Sequence, residues 1–453
     1  MSEREGSQRE RGAGRAGRPA APRGGAGVSR APAPLFEDRT QWLALVESNT
    51  TGSGRLFCRA AVRAGLRPVL LARDPDRYPY VRADGIDSQV VDTASVAAVL
   101  AACADLPGAG AAVAGVTSSS EYHVGTASEA ARALGRPHPD PAAVRACRDK
   151  AVQRARLAAT GLPGPAHGTA GSPVGAVAVA GLIGFPVVVK PVSGSGSIGV
   201  RRCDTGAEVA AAAAAVLSGS AGTGLPAQAT VLVEAYLAGA EFSVETFDDR
   251  VVGVTGKHLG PEPAFVETGH DFPAAVGPAT ARALGDAAVA ALRALGLGWG
   301  AAHIELRLTP AGPVVVEVNP RLAGGMIPRL VEEATGIDLI ALLVARVAGQ
   351  RPVPATSRSW SASIRFLVAG QAGRLAGLRA MAEAGRVPGV VEVGMTARAG
   401  QEVLVRGSFQ DRLGYVLAAG PDRAAAAAAA EAGLALLRPE IATPVGETAD
   451  GPQ

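Results

Sequence analysis

The stretch that most constrains the fold of this chain runs from Trp299 to Arg321. Two short apolar runs flank a Pro-Ala-Gly turn there, a pattern that predicts a β-hairpin. Side chains alternate between the faces of a strand, so Glu317 and Asn319 point the same way and Glu305 can face them from the partner strand. Facing carboxylates repel unless a positive charge lies between them, and an all-oxygen ligand set suits Mg²⁺ held together with substrate phosphates. The hairpin therefore predicts a metal site, although two exposed glutamates on an ordinary hairpin would give the same local pattern.

The length and net charge of the chain limit the classes of protein to which it can belong. A chain of 453 residues predicts two to four domains, and its formal net charge of +3 indicates no nucleic-acid-binding face. The four cysteines lack metal-ligand spacing, which is typical of buried thiols in a reducing compartment. The sequence has neither a signal-peptide pattern nor an apolar run long enough to span a bilayer. We therefore predict a soluble cytoplasmic protein with neither a nucleic-acid nor a membrane partner.

Lysine and asparagine are rare in this chain. Of 44 basic residues only Lys150, Lys190 and Lys257 are lysine, and Asn49 and Asn319 are the only asparagines. A GC-rich coding bias would replace both residue types wherever another residue could serve, so the remaining ones are candidates for function. A lysine ammonium is a compact point charge that suits a single phosphate oxygen in a narrow site. For Lys257 and Asn49 the sequence suggests no specific role.

The first third of the chain predicts a tail followed by a small domain. Residues 1–38 are rich in Arg, Gly, Ala and Pro and have too few large apolar side chains to offset the conformational entropy lost on ordering. We therefore predict a disordered tail. Residues 39–140 alternate apolar strands with helices, a pattern typical of an N-terminal α/β domain with a parallel sheet. Glu47 and Ser48 precede Asn49 at the end of its first strand, where open α/β sheets bind ligands, but an ordinary polar loop explains them equally well.

A glycine- and serine-rich loop follows the buried strand that ends at Lys190. The loop formally matches G-x-G-x-x-G, but the dinucleotide-binding motif needs an apolar helix directly afterwards and an acid closing the next strand. A strand containing Val200 follows instead, so we predict a hairpin flap whose backbone N–H groups can cover a triphosphate. Upstream, residues 143–162 predict one helix that carries Lys150.

Two further strands are joined by a short polar hinge. The first ends at Glu234, and the second begins near Glu241. Such a hinge can give adenine two backbone hydrogen bonds while Glu241 reaches the ribose hydroxyls.

The chain resembles the ATP-grasp superfamily over roughly residues 110–345. The resemblance rests on the joint occurrence of the two lysines, the flap, the hinge and the pattern of Glu305 followed by Glu317 and Asn319. The resemblance implies an α/β ATP-grasp fold with an N-terminal parallel-sheet (pre-ATP-grasp) domain and a small C-terminal α+β domain. It also implies ATP and Mg²⁺ as cofactors, with Mn²⁺ as an alternative ion. The residues that it implicates are Lys150 and Lys190 at the phosphates, Gly196 and Ser197 in the flap, Glu234, Tyr236, Leu237 and Glu241 around adenine and ribose, and Glu305, Glu317 and Asn319 at the metal.

Within that superfamily, residues 265–274 and 321–325 resemble the L-amino acid (dipeptide) ligases. The resemblance implies that Glu267 and His270 face an amino-acid substrate and that Arg321 contacts its carboxylate or an acyl phosphate. Glu267 and His270 are then predicted to lie in a substrate loop bounded by Gly and Pro residues, and a loop histidine whose hydrogen bonds are satisfied locally is the alternative for His270. The predicted domains are then the ATP-grasp domain at 141–348, with a nucleotide lid at about 160–236, and a ligase-associated α+β domain at 355–440.

The predicted activity is an ADP-forming carboxylate–amine ligase that joins an amino acid to an amine or a second amino acid through an acyl phosphate. One alternative is bicarbonate activation by a biotin-carboxylase-like enzyme. Those enzymes place Gln-Val-Glu-His after Asn-x-Arg, with the Glu as base, whereas residues 322–325 here read Leu-Ala-Gly-Gly. The other alternative is an ATP-binding regulatory module without turnover. The sequence leaves the oligomeric state open, with a homodimer as one candidate.

Overall fold

The computed structural model of this chain describes residues 41–48, 53–107, 113–219 and 226–442. The predicted disordered tail and Asn49 lie outside these ranges. Within them, every helix is too short or too polar to cross a membrane.

The N-terminal part is a parallel sheet covered by helices, as the alternating pattern predicts. Its strand order is β3-β2-β1-β4, with β1 paired to β2 and β4 in parallel. The chain order therefore reverses between β1 and β4, the position where open α/β sheets form a crevice at the carboxyl ends of their strands. The elements are β1 Trp42–Val46, α1 Ser53–Arg63, β2 Arg67–Ala72, α2 Pro79–Ala83, β3 Asp87–Val90, α3 Val96–Ala104, β4 Val113–Thr117 and α4 Val124–Ala133.

The predicted single helix over residues 143–162 is wrong, because the structure has two helices that meet at Asp149. Asp149 has extended dihedral angles (φ −104°, ψ 109°), and its carboxylate accepts hydrogen bonds from the N–H groups of Ala151 and Val152. The side chain therefore caps a new helix instead of continuing the old one. The two helices are α5 Pro141–Arg148 and α6 Lys150–Ala159. The break places Lys150 in the first turn of α6, where its N–H donates to Val192 O at 2.8 Å.

A small antiparallel sheet follows, with strand order β5-β8-β6-β7. The predicted hairpin flap is confirmed, since the strands on either side of residues 192–200 pair antiparallel. Thr205 caps the following helix through a capping box with Glu208. The elements are β5 His167–Ala170, α7 Pro173–Ile183, β6 Val187–Pro191, β7 Arg201–Cys203, α8 Gly206–Ser218 and β8 Val231–Ala235.

The largest sheet has eight strands, in the order β13-β12-β9-β10-β11 followed by β14 (Ser361–Val368), β18 (Arg412–Gly420) and β16 (Val390–Met395). Its first five strands come from residues 240–319 and its last three from the C-terminal part, so the sheet continues across the predicted domain boundary at residues 348–355. The domain limits themselves stay predictions. The elements up to this boundary are β9 Ala240–Phe247, β10 Arg250–Leu259, β11 Glu267–Phe272, α9 Pro278–Ala294, β12 Ala301–Thr309, β13 Gly312–Asn319, α10 Ile327–Thr335 and α11 Leu339–Val347.

The C-terminal part adds a second small sheet, β17-β15-β19, and helix α13 packs against β14 and β18. Its elements are β14 Ser361–Val368, β15 Gly373–Arg379, α12 Met381–Ala384, β16 Val390–Met395, β17 Glu402–Val403, β18 Arg412–Gly420, α13 Arg423–Leu436 and β19 Arg438–Ala442.

The predicted hairpin is confirmed as β12 and β13, with Glu305 directly opposite Glu317 and His303 opposite Asn319. The faces of these strands that point away from the site are apolar. Ile304, Leu306 and Val318 lie in one core with α9 and are fully buried. A one-residue slip in register would bury the carboxylates in that core, so the apolar face fixes where the two glutamates lie.

Candidate active site

Thirteen of the fourteen predicted site residues line one cavity between the flap, the hinge and the β12–β13 hairpin. The sequence separates these residues by up to 171 positions, so only the tertiary structure could bring them together. The exception is His270. The residues that line the cavity are Lys150, Lys190, Gly196, Ser197, Glu234, Tyr236, Leu237, Glu241, Glu267, Glu305, Glu317, Asn319 and Arg321. We call this space the flap cavity.

Lys190 enters the flap cavity from the end of β6, and its ammonium is held by Glu234. Its Nζ lies 2.5 Å from Glu234 Oε2, and Arg154 Nε donates to the other oxygen at 2.7 Å. Burial disfavours the charged carboxylate, but the ammonium and the guanidinium outweigh it and lower the pKa of Glu234 to about 2. The side chain of Glu234 therefore acts in this structure as a counter-ion for the lysine rather than as a partner for adenine.

Arg154 explains why this pair can remain buried. Its Nη1 and Nη2 donate to the carbonyl oxygens of Val315 and Val316 at 2.7 and 2.9 Å. Helix α6 is thereby fixed to strand β13, which carries Glu317. A buried charge needs both a partner and hydrogen bonds to offset its lost hydration, and Arg154 has both.

Lys150 contacts both the hairpin and the flap. Its Nζ is 3.0 Å from Glu317 Oε1 and donates to Gly194 O in the flap at 2.7 Å. The first turn of a helix is an unfavourable place for a cation, because the N–H groups there carry partial positive charge. The carboxylate of Glu317 offsets this repulsion, and the flap carbonyl ties the loop to the base of the cavity.

Lys257 is the residue that joins the carboxylates of the site. Its Nζ lies 2.8 Å from Glu267 Oε1, 2.9 Å from Glu305 Oε1 and 3.4 Å from Glu241 Oε1, and its side chain is 1% exposed. Burial disfavours the ammonium, but the three carboxylates outweigh it and raise the pKa of Lys257 well above its usual value. Burial disfavours ionised carboxylates as well, yet Lys257 outweighs it and lowers the pKa of Glu267 and Glu305. For Glu241 burial dominates, and its pKa is raised.

His303 supplies a second buried cation. Its Nδ1 lies 2.8 Å from Glu245 Oε1 and its Nε2 lies 3.1 Å from Glu305 Oε1. Both partners are acceptors, so the ring satisfies both only when both nitrogens carry protons. Burial opposes this charge, but the Glu245 carboxylate outweighs burial and raises the pKa of His303 to about 9.

The oxygen atoms left over on the hairpin fit a hard cation. Glu305 uses Oε1 for both Lys257 and His303, and Glu317 uses Oε1 for Lys150. Among the described residues, none donates a hydrogen bond to Oε2 of either glutamate. Two carboxylate oxygens and the amide of Asn319 therefore remain, which is the partial ligand set that Mg²⁺ completes with water and phosphate oxygens.

The hinge end of the flap cavity is suited to a flat base. The N–H groups of Ala235 and Tyr236 already donate to Ala166 O and Pro186 O, and Leu237 O accepts from Arg307 Nη1 at 2.8 Å. The N–H of Leu237 remains available for a base, since none of the described residues accepts its hydrogen bond.

Arg307 was not anticipated from the sequence. Its guanidinium carbon lies 5.5 Å from the ring centre of Tyr236 and 5.3 Å from that of Phe265, and its Nη2 lies 3.2 Å from Glu241 Oε2. It therefore holds the hinge, an aromatic wall of the cavity and the predicted ribose ligand in one arrangement.

The segment predicted as a substrate loop is strand β11, inside the eight-stranded sheet. The prediction of a loop is wrong because residues 267–272 pair with β10 on one side and β14 on the other. The register shifts where Glu267 pairs with Leu259, which brings Glu267 and His270 to the same side of the strand.

His270 is fully buried behind Glu267 and lines neither the flap cavity nor the larger cavity beside it. Its Nε2 lies 3.1 Å from Glu267 Oε2, and its Nδ1 lies 3.2 Å from Gly325 O. Burial is the main cause of its lowered pKa. The geometry supports a positioning role for His270 rather than the direct substrate contact implied by the resemblance.

The C-terminal part also holds Glu267. Arg412 Nη2 donates to Glu267 Oε2 at 2.7 Å, and its guanidinium carbon lies 4.0 Å from the ring centre of Phe366. Lys257, His270 and Arg412 thus surround one carboxylate from three strands. No pattern in the sequence predicted the contact between Glu267 and Arg412, which are 145 positions apart. Lys257, in contrast, was already a candidate for function because lysine is rare in this chain.

Arg321 lies where the flap cavity meets a larger cavity. Its Nε donates to Glu121 Oε2 at 3.1 Å and its Nη1 to Leu322 O at 2.9 Å, while Arg148 forms an ion pair with the other oxygen of Glu121. Burial opposes ionisation of Glu121, but Arg321 and then Arg148 outweigh it and lower the pKa of that carboxyl. The predicted substrate-binding arginine is therefore oriented by a residue of the N-terminal part.

The larger cavity has a volume of about 1080 Å³ and lies between the N-terminal crevice, the loop after Arg321 and the C-terminal part. We call it the substrate-side cavity. It shares Glu267, Glu305, Arg321 and the flap residues Ser195 and Gly196 with the flap cavity. Two ligands could therefore meet at these shared residues.

Two protein families match segments of this chain. Residues 183–329 match the ATP-grasp domain family, and residues 365–442 match L-amino acid ligase C-terminal domain 2. Together the two segments contain the flap, the hinge, the hairpin and Arg412.

Similar proteins extend the likeness over most of the chain. The uncharacterized protein y4rH of Sinorhizobium fredii is 38% identical over 384 residues, which is 85% of this chain and 80% of that protein. Carnosine synthase 1 of Gallus gallus is 35% identical over 185 residues, 38% of this chain but only 20% of that enzyme. A crystal structure of an L-amino acid ligase from Bacillus licheniformis is similar with a TM-score of 0.74 at 22% identity, covering 90% of this chain and all of the other. These likenesses confirm the predicted ATP-grasp fold with its N-terminal parallel sheet.

Proposed function

This chain belongs to the ATP-grasp superfamily and has an L-amino acid ligase C-terminal domain, and from that premise we propose that it is an ADP-forming carboxylate–amine ligase. It would join an amino acid to an amine or a second amino acid. Similarity to an L-amino acid ligase structure and to a carnosine synthase supports amino-acid substrates. The observation that carries the proposal is the meeting of the flap cavity and the substrate-side cavity at Glu305, Glu267 and Arg321.

The reaction needs ATP because a carboxylate is a poor electrophile. We propose that the terminal phosphoryl group of ATP passes to the amino-acid carboxylate, giving an acyl phosphate and ADP. The amine then attacks the acyl carbon, phosphate leaves, and an amide forms. Lys150 and Lys190 offset negative charge on the phosphates, and Arg321 orients the carboxylate at the junction of the two cavities. The flap excludes water that would hydrolyse the acyl phosphate.

Glu305, Glu317 and Asn319 would hold Mg²⁺ through the oxygen atoms that their protein partners leave available. When bound, the ion would offset charge on the phosphate oxygens. Lys257 and His303 keep Glu305 ionised, and Lys150 contacts Glu317, so both side chains are oriented beforehand and the ligand atoms need little rearrangement.

The test is a phosphate-release screen over pairs of amino acids and amines, with products identified by mass spectrometry. We expect release that needs ATP and both members of a pair, with one amide bond formed per phosphate. Glu317→Gln is the inactive control, because it keeps the shape of the side chain and removes its charge. An exposed substitution away from the site, Arg293→Met, is the matched active control. Phosphate release that depends on bicarbonate and ignores amino acids would instead identify a carboxylase-like activity.

A further inference from the structure

A turn of the C-terminal part, residues 406–411, contacts the tip of the flap. The N–H of Phe409 donates to Gly196 O at 3.4 Å. Gly196 has φ +65°, and a Cβ built on it would lie 2.2 Å from Cδ1 of Phe409. Only a glycine allows the ring to approach the flap this closely without displacement of one of them.

The turn is rigid enough to hold the ring in place. Asp411 is 1% exposed, and its carboxylate accepts from the N–H groups of Arg406, Gly407 and Ser408, the shortest at 2.7 Å. The carbonyl oxygen of Asp411 accepts from the N–H of Ala369 at 2.8 Å, just after strand β14. The turn that carries Phe409 is therefore anchored to the eight-stranded sheet, and its position does not depend on the flap.

The flap is held firmly at its base but has few attachments toward its tip. At the base, Gly194 O accepts from Lys150 Nζ at 2.7 Å and Ser193 Oγ donates to Gln228 Oε1 at 2.8 Å. Beyond Gly194, Ser195 Oγ lies 3.4 Å from the hydroxyl of the exposed residue Tyr122. Within the flap, the N–H groups of Ile198 and Val200 make hydrogen bonds of 3.4 and 3.2 Å to nearby carbonyls. Few contacts and long hydrogen bonds are typical of a segment that opens locally at low free-energy cost.

We propose that Phe409 is a positioning residue that latches the flap closed, which gives the C-terminal part a role in keeping water from the acyl phosphate. This inference rests on the proposed ligase function. With the latch open, water attacks the acyl phosphate, the amino-acid carboxylate is regenerated and inorganic phosphate is released. The net reaction is then hydrolysis of ATP to ADP and phosphate with no amide formed.

The first test uses the free, full-length protein and needs no substrate. Hydrogen exchange of the Ile198 and Val200 amides is measured in the wild type, in Phe409→Ala and in Val405→Ala, an exposed neighbour in the same stretch. We expect exchange of these amides to be about threefold to tenfold faster in Phe409→Ala. Loss of the contact between the Phe409 ring and the flap should raise the equilibrium constant for local opening of the flap by that factor. Val405→Ala should leave the exchange rate of the flap amides unchanged, and Phe409→Leu should give a rate between those of the wild type and Phe409→Ala. Equal flap exchange in Phe409→Ala and Val405→Ala would overturn the latch.

A double-mutant cycle separates the contact from general damage. Gly196→Ala adds a methyl group that strains the backbone and also collides with the Phe409 ring. Phe409→Ala removes only the collision, so Gly196→Ala should accelerate flap exchange less in the Phe409→Ala background than in the wild type. Additive effects would show that the two residues do not interact.

The second test measures phosphate released per amide formed, using an amino-acid pair found by the screen. We expect a ratio near one in the wild type and in Val405→Ala, and a ratio raised several-fold in Phe409→Ala. An unchanged ratio together with unchanged exchange refutes the latch while leaving the ligase intact. If no pair gives an amide, the ligase proposal fails, yet the exchange measurement still decides whether Phe409 holds the flap.

Discussion

Removal of the Lys257 ammonium tests whether this residue holds the charges of the site together. We choose Lys257→Met because the Lys257 side chain is 1% exposed, and methionine keeps most of its volume while removing only the charge. Three carboxylates, Glu241, Glu267 and Glu305, then lose an ammonium at 3.4, 2.8 and 2.9 Å. Each contact of this length corresponds to an attraction of about 5 to 6 kcal/mol at an effective dielectric constant of 20, before desolvation is subtracted.

The variant can limit its loss by protonating a carboxylate. A glutamate carboxyl with its ordinary pKa of 4.5 costs about 4 kcal/mol to protonate at pH 7.5 and about 1.4 kcal/mol at pH 5.5. We therefore expect Lys257→Met to lower the free energy of unfolding by about 3 to 5 kcal/mol at pH 7.5 and by clearly less at pH 5.5.

The sign of this pH dependence distinguishes a charge effect from a packing defect. In the wild type the pKa values of Glu267 and Glu305 are lowered, so their stabilisation is present above pH 4.5 and disappears only as the pH falls through the lowered values. Without Lys257 we expect burial to outweigh the remaining basic groups His270, Arg412 and His303, so that these pKa values rise above 4.5 and stability falls as the pH rises. Glu241 already has a raised pKa in the wild type, so the quantity to compare is the difference between variant and wild type at each pH.

Urea unfolding at pH 5.5, 6.5 and 7.5 measures this difference. Arg293→Met, an exposed change on α9, is the control and should stay within about 0.5 kcal/mol of the wild type. Adding Glu241→Gln to Lys257→Met should recover part of the loss, because one repelling charge is removed. A loss below about 1 kcal/mol, or one that is equal at all three pH values, would refute the reasoning.

Three further substitutions test other parts of the site. Glu317→Gln should lower ATP-dependent phosphate release by about 10² to 10³ while leaving ATP affinity measurable by calorimetry, and near-normal turnover would contradict its assignment as a metal ligand. Glu234→Gln leaves Lys190 without its counter-ion, so we expect unfolding free energy to fall by about 3 to 5 kcal/mol in urea titrations; a loss within experimental error would mean that the pair contributes little. Gly325→Ala forces a residue with φ +59° to place its Cβ 2.5 Å from His270 Cε1, and a thermal unfolding scan should show destabilisation of more than about 1 kcal/mol. A scan that matches the wild type would show that the Gly325 loop and His270 are free to move apart.

Local sequence patterns were sufficient to predict several parts of this structure. Alternation of side chains along β12 and β13 placed Glu305 opposite Glu317, and the glycine- and serine-rich sequence after Lys190 gave the flap. Both predictions depend on neighbours in sequence, because strand alternation and turn propensity act over a few residues. Residues 143–162 show where this reasoning stops: the apolar pattern was helical throughout, but the capping side chain of Asp149 and a hydrogen bond to Val192 divided it.

Tertiary structure decided which charges face one another. Lys257 was conspicuous in the sequence only because lysine is rare, and the pairing of β9, β10, β11 and β12 brought its ammonium to three carboxylates. Arg412 reached Glu267 because the C-terminal strands continue the same sheet. The same pairing placed His270 behind Glu267, although a Gly- and Pro-bounded sequence had predicted a loop. An ion pair depends on distance in space, and long-range strand order sets that distance without leaving a periodic mark in the sequence.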